Sequence, residues 1–166
     1  MDVTAALAKL NLPDSSITLR RATRADLPAI LGLLVDDPLG RTREGASEAH
    51  DFAPYEAAFA AIDADPAQLL VVATDGIEVV ATMQLSFIPG LSRRGALRAQ
   101  AEAVRVAATH RSQGLGGALL QWAIDEARGR GCAFVQLTTD KTRVDAHRFY
   151  ERLGFTASHE GFKLQL

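Results

Sequence analysis

The sequence predicts an α/β fold whose sheet holds both antiparallel and parallel strand pairs. Three observations predict it. Leu69-Leu-Val-Val-Ala and the β-branched, apolar run from Ile77 to Ile88 flank the turn signal Asp75-Gly76, as in an antiparallel hairpin. The stretch Val104 to Gly131 begins as an extended apolar run, passes through a glycine-rich bend and becomes an amphipathic helix. Cys132-Ala-Phe-Val-Gln-Leu-Thr then adds a short strand after this strand–helix crossover, which sets it parallel to its neighbour.

Composition narrows the field. A chain of 166 residues suits one domain with one sizeable core. Its 48% hydrophobic and 23% charged residues are ordinary for a soluble globular protein. A net charge of −2 gives no electrostatic case for nucleic acid or a membrane surface. The single cysteine excludes an intrachain disulfide and a cysteine-based metal cluster, and no metal site is expected. No apolar run approaches the roughly 20 residues that span a bilayer. Asp2, Lys9 and Asp14 interrupt the first sixteen residues, unlike a secretory h-region, so a cytoplasmic protein is expected.

Taken in order, residues 3–10 read as a short helical arm closed by Pro13. Ile17-Thr-Leu-Arg-Arg-Ala alternates like a half-buried strand. Thr23-Arg-Ala-Asp26 is a variant capping box, followed by Leu27, Ile30, Leu31 and Leu34 at helical spacing up to Asp36-Asp37-Pro38. Residues 36–47 form a polar loop. A second helix carries Phe52, Tyr55, Phe59 and Ile62 on one side and ends before Pro66. After the hairpin and the Pro89-Gly90 turn, residues 97–107 form the strand that leads into the glycine bend. The helix from about Gly116 to Arg128 buries Leu119, Leu120, Ala123, Ile124 and Ala127, and Gly129 and Gly131 stop it. Residues 144–153 are helical, and Phe155 to Leu166 make a last hairpin around Glu160-Gly161.

The bend is the chemical centre. Arg111-x-x-Gly114-x-Gly116 sits just before the helix, where loop N–H groups and the unpaired donors of the first turn converge and attract an anion. Glycines at 114, 116 and 117 let a diphosphate approach the backbone. It is not a Walker A loop, because no lysine follows the glycines. It is not a dinucleotide fingerprint, because Leu119 stands where a third small residue is required. These residues alone leave two readings: a phosphate cradle, or a glycine-rich helix entry without a ligand.

The pattern resembles motif A of the GCN5-related N-acetyltransferases, Arg/Gln-x-x-Gly-x-Gly/Ala. A second stretch is similar to that family's Ala-x-x-Phe/Leu-Tyr-x-x-x-Gly-Phe signature, through Ala146, Phe149, Tyr150, Gly154 and Phe155. It follows the first by a helix and a strand, in the family's order. The resemblance is specific over about residues 98–155 and extends by element order to 17–166. It implies a single N-acetyltransferase domain at 17–166 with residues 1–16 as an N-terminal extension.

The resemblance also implies a GNAT-type acyl-CoA acyltransferase fold. Its sheet is mixed and mostly antiparallel, flanked by helices and ending in a seventh strand, and the parallel strands holding Val104 and Val135 splay apart to admit acetyl-CoA. The backbone of Val104 and Val106 then meets the pantetheine arm and the acetyl carbonyl. Arg111, Ser112, Gln113, Gly114, Leu115, Gly116 and Gly117 surround the diphosphate. Tyr150 matches a tyrosine that protonates the departing thiolate. Arg143 stands where the family often has Asn, and either bonds a CoA phosphate or faces solvent. The implied reaction is acetyl transfer to a primary amine, on a small molecule or a peptide, by direct attack in a ternary complex. Homodimers are common in such families, although no sequence feature here specifies one.

Such a reaction needs a neutral amine, and an alkylamine with a pKa of about 10.4 must lose a proton first. Glu102 is the candidate base, because some family members carry Glu at this place. Glu102, Val104 and Val106 share strand parity and would point to one face, unless the bulge for which the family is known intervenes. The alternative is a solvated carboxylate. Tyr150 shares a helical stripe with Ala146, Phe149 and Leu153, which packing alone also explains. A non-catalytic acyl-CoA-binding or regulatory module is the competing function. Arg93, Arg94 and Arg98 form a basic cluster that either faces solvent or meets the adenosine 3′-phosphate.

Overall fold

The computed structural model describes residues 5–13, 15–36 and 52–166. Six strands form one sheet in chain order: β1 (Ala6–Asn11), β2 (Ser16–Arg21), β3 (Gln68–Asp75), β4 (Glu78–Pro89), β5 (Leu97–Val106) and β6 (Phe134–Leu137). Neighbours are antiparallel up to β5, and β6 runs parallel to β5. Among the described residues, the helices longer than one turn and a half are α1 (Leu27–Val35), α2 (Ala53–Ala64), α3 (Leu115–Gly129) and α4 (Val144–Arg152).

The period of two in β3 divides the core. Leu69, Val71 and Ala73 face a large cluster with Leu115, Leu119, Leu120, Ala123 and Ala127 of α3. Leu70 and Val72 face Ile30 and Leu34 of α1 and Phe59 and Ile62 of α2. Leu119 and Leu120 are completely buried. Each contributes about 2 kcal/mol by leaving water, so α3 is fixed firmly against the sheet. Gly131, at φ 76°, lets the chain turn after α3, and Cys132 N–H closes back on the Ala127 carbonyl at 2.9 Å.

The capping-box expectation holds for the carboxylate half. Asp26 Oδ2 accepts from the Thr23 N–H at 2.7 Å, and its two oxygens take a bidentate pair from Arg20, both at 2.7 Å. Burial alone would raise the Asp26 carboxyl. The bonds from Arg20 and Thr23 outweigh it and hold the group below its ordinary value.

Two expectations are corrected at the ends of the chain. Residues 6–11 are a strand, not a helical arm: Leu10 lies opposite Ile17 and is buried in the main core. Residues 6–11 therefore add an edge strand to the sheet. The hairpin expected over Phe155 to Leu166 does not form, and residues 155–166 contain no strand. Its arms are short, and Phe162, Leu164 and Leu166 stay exposed, so an isolated two-strand ribbon gains little. Among the described residues the sheet thus has six strands rather than the family's seven. Apart from Asp36, the polar loop expected over 36–47 lies outside the described residues.

Candidate active site

The parallel ladder between β5 and β6 ends at Ala101 opposite Leu137, yet β5 continues to Val106. Beyond Ala101 the ladder stops, and among the described residues that edge of β5 has no strand neighbour. The register of β5 against β4 also slips here: Gln84 faces Glu102, but Thr82 faces Arg105. Ala103, at φ 51°, is the extra residue of a β-bulge. The bulge separates the residues that share parity. Val104 and Val106 pack against the α3-side core together with Ala99 and Ala101, whereas Glu102 is exposed.

After β5 the chain makes a short 3₁₀ turn at Ala108–His110 and reaches the glycine bend. Gly114 has φ 87°, a left-handed conformation that residues with a Cβ resist. It is the N-cap of α3, and no side chain caps the helix. The first bond of the ladder runs from Ala118 N–H to the Gly114 carbonyl at 3.0 Å, so the N–H groups of Leu115, Gly116 and Gly117 precede it. Space beside Gly117 is open, because a Cβ built there meets nothing within 4 Å. A diphosphate fits these features: open donors, a helix dipole and no side chain in the way.

Gly116 faces inward instead. A Cβ there would stand 3.5 Å from Phe149 and 3.7 Å from Val106, so this glycine also lets α4 and β5 approach. Leu12, just past β1, lies 3.9 Å from the corresponding position at Gly114, so the N-terminal strand supports the bend.

The arginine of the bend is committed elsewhere. Arg111 Nε donates to the Val106 carbonyl at 3.0 Å, and its guanidinium pairs with Asp36 at 2.7 Å. Gln113 donates to the Thr109 carbonyl at 2.8 Å, and Ser112 holds a positive φ of 63°. Anion attraction at the bend therefore falls on the backbone more than on the Arg111 charge. The Val104 carbonyl likewise accepts from Arg105 at 2.9 Å. An open cavity of about 660 Å³ lies beside this loop, lined by Asp26, Asp36, Glu78 and Thr109. Neither Glu102 nor Tyr150 lines it, and Asp26 and Asp36 already pair with arginines.

Tyr150 projects from α4 and is half-buried against the main core. Its ring lies 5.3 Å from Phe149 and 6.0 Å from Phe155 between centroids. Burial raises the hydroxyl above its usual 10.0, against the opposing pull of Arg143 and Arg105. The phenol therefore keeps its proton at neutral pH, while two guanidinium groups stand close enough to favour the anion once the proton leaves. No hydrogen bond joins Tyr150 to Glu102. The two groups stand on different elements, Glu102 on β5 and Tyr150 on α4.

Sequence reasoning missed Arg105 as a neighbour of Tyr150 and Asp36 as the partner of Arg111. It also missed Gln100 and Gln136, whose signal was a polar residue inside β5 and inside β6, the last strand of the sheet. The basic cluster lies elsewhere: Arg93 and Arg94 occupy the turn before β5. That turn is about 30 Å along the strand from the bend, and Arg93 sits over the Phe134 ring at 4.7 Å. Among the described residues no group of His, Cys, Asp and Glu has metal-site geometry, and no helix is long and apolar enough to cross a membrane.

Known proteins resemble this chain in sequence and fold. A crystal structure of a transcriptional regulator from Bacillus halodurans C-125 is 46% identical, with TM-score 0.86 over 90% of this chain and 99% of that one. An aminoalkylphosphonate N-acetyltransferase of Salmonella typhimurium is 48% identical over 52 residues, which are 31% of this chain and 34% of that protein. The uncharacterized N-acetyltransferase YhdJ of Bacillus subtilis is 51% identical over 47 residues, 28% of this chain and 33% of its own. The matches thus span about a third of the length of these two curated relatives. The sequence profile of the acetyltransferase (GNAT) family matches residues 30–155, and the chain belongs to that family.

Proposed function

We propose that this chain transfers an acetyl group from acetyl-CoA to a primary amine by direct attack within a ternary complex. One observation carries the reading: β5 runs past its last pairing with β6 and ends at an uncapped, glycine-lined helix start. The backbone of Val104 and Val106 would hold the pantetheine arm, and the bend from Arg111 to Gly117 the diphosphate. Bound there, acetyl-CoA supplies an activated acetyl thioester and a thiolate leaving group.

The residues of this chain manage the protons. Glu102, exposed on the open half of β5, takes a proton from the incoming ammonium and frees its lone pair. Tyr150 Oη gives a proton to the leaving group, and Arg105 and Arg143 stabilise the tyrosinate that results. Arg143 thus has a use at the position where many relatives carry Asn.

A second reading keeps acyl-CoA binding without transfer, as a regulatory module. The Bacillus halodurans structure, described as a transcriptional regulator, favours it. Thiol release decides between the two. Protein and acetyl-CoA are mixed with a panel of amines, headed by aminoalkylphosphonates because of the Salmonella relative. The transferase reading expects thiol release that depends on protein and saturates with one amine class. Saturable acetyl-CoA binding with no release from any amine supports the module.

A further inference from the structure

The face of the sheet opposite α3 carries a row of side-chain amides. Gln100 of β5 and Gln136 of β6 are register partners in the parallel ladder. Gln136 Nε2 donates to Gln100 Oε1 at 2.6 Å, and Gln100 Nε2 donates to Glu102 Oε1 at 3.2 Å. The first bond sets the direction of the second. A glutamine amide has one acceptor oxygen and one donor nitrogen, so once Gln136 holds the oxygen, the nitrogen is turned towards Glu102.

A neighbouring pair of strands provides the contrast. Gln84 and Ser86 both donate to Gln68 Oε1, at 3.0 and 2.8 Å, and that cluster closes on itself without reaching a candidate catalytic group. The Gln136–Gln100 relay instead ends on the carboxylate at the bulge. Across from Glu102, β4 presents the neutral Gln84, and the charged neighbour on its own strand is Arg105 beyond the bulge.

We infer that Gln100 is a positioning residue for Glu102, and that Gln136 holds Gln100 in place. This rests on the reading of Glu102 as the base. An exposed carboxylate held to the backbone by two methylene groups rotates freely, which disperses its proton-accepting oxygens. Tethering Oε1 leaves Oε2 to accept the proton that leaves the amine nitrogen, with no other bond made or broken by the relay.

A double-mutant cycle tests it. Gln100→Met keeps the length of the side chain and removes the donor. Its kcat should fall about 10-fold, with the KM for acetyl-CoA within about twofold of wild type. In the Glu102→Gln background the same change should cost nothing further, because the group it positions is already lost. Gln136→Met should show a smaller fall with the same dependence on Glu102, and it carries the test if Gln100→Met melts early. Wild-type kcat in both glutamine variants, or equal losses in the two backgrounds, overturns the positioning role. If Glu102→Gln itself turns over like wild type, the base assignment fails instead, and that outcome is distinct.

Discussion

The two halves of β5 differ in ways that separate stability from chemistry. From Leu97 to Ala101 the strand is paired on both sides, and Ala99 and Ala101 are 0% and 3% exposed. From Glu102 to Val106 β4 is the only strand beside it among the described residues, the register slips, and every side chain is half-buried or exposed. Ala103 sits there at φ 51°, a conformation costing on the order of 1 kcal/mol for a residue with a Cβ. The closed half anchors the strand in the core. The open half gives up a neighbour, and the backbone edge and room it gains are what an acyl-CoA arm would use.

The largest effect that would break this contrast lies at Glu102. Glu102→Gln should lower the rate by about 10²–10⁴-fold near neutral pH and much less above the amine pKa of about 10.4. The melting temperature should hardly move, since the side chain is exposed and outside the doubly paired half. A pH–rate profile identical to wild type would hand the deprotonation to water or to free amine.

Tyr150, on α4, comes next. Tyr150→Phe keeps the ring against Phe149 and Phe155 and removes only the oxygen. We expect kcat to fall roughly 10²-fold while acetyl-CoA affinity holds. A folded variant with near wild-type turnover, when chemistry limits the rate, would reduce Tyr150 to a packing residue. The raised hydroxyl pKa has a second consequence. Its contribution to stability is complete below the ordinary value of 10.0 and is lost as pH climbs through the higher folded one. Alkaline unfolding should accordingly shift upwards in Tyr150→Phe.

The same division explains what was legible in the sequence. The hairpin, α1 to α4 and the glycine bend announce themselves through periodicity, turn residues and stops. Ala6 to Leu10 does not, because alanines and leucines favour a helix locally while pairing with β2 and burial of Leu10 decide for a strand. Strict alternation would set Glu102 with Val104, and one bulged residue undoes that. Arg111 meets Asp36 across 75 positions, and Gln100 meets Gln136 across 36. Such pairs depend on how the sheet is registered, which no local spacing encodes. The bend was legible because its glycines carry the requirement in their identity.

The central claim is that the start of α3 holds the diphosphate of acetyl-CoA, and Gly117 tests it most directly. Its Cβ would enter open space, so Gly117→Val leaves the core intact, unlike Gly116, which packs on Phe149 and Val106. Calorimetric titration with acetyl-CoA should show saturable binding to wild type and affinity weaker by roughly 10-fold or more, about 1.4 kcal/mol, in folded Gly117→Val. Equal affinity in the two proteins would contradict the account.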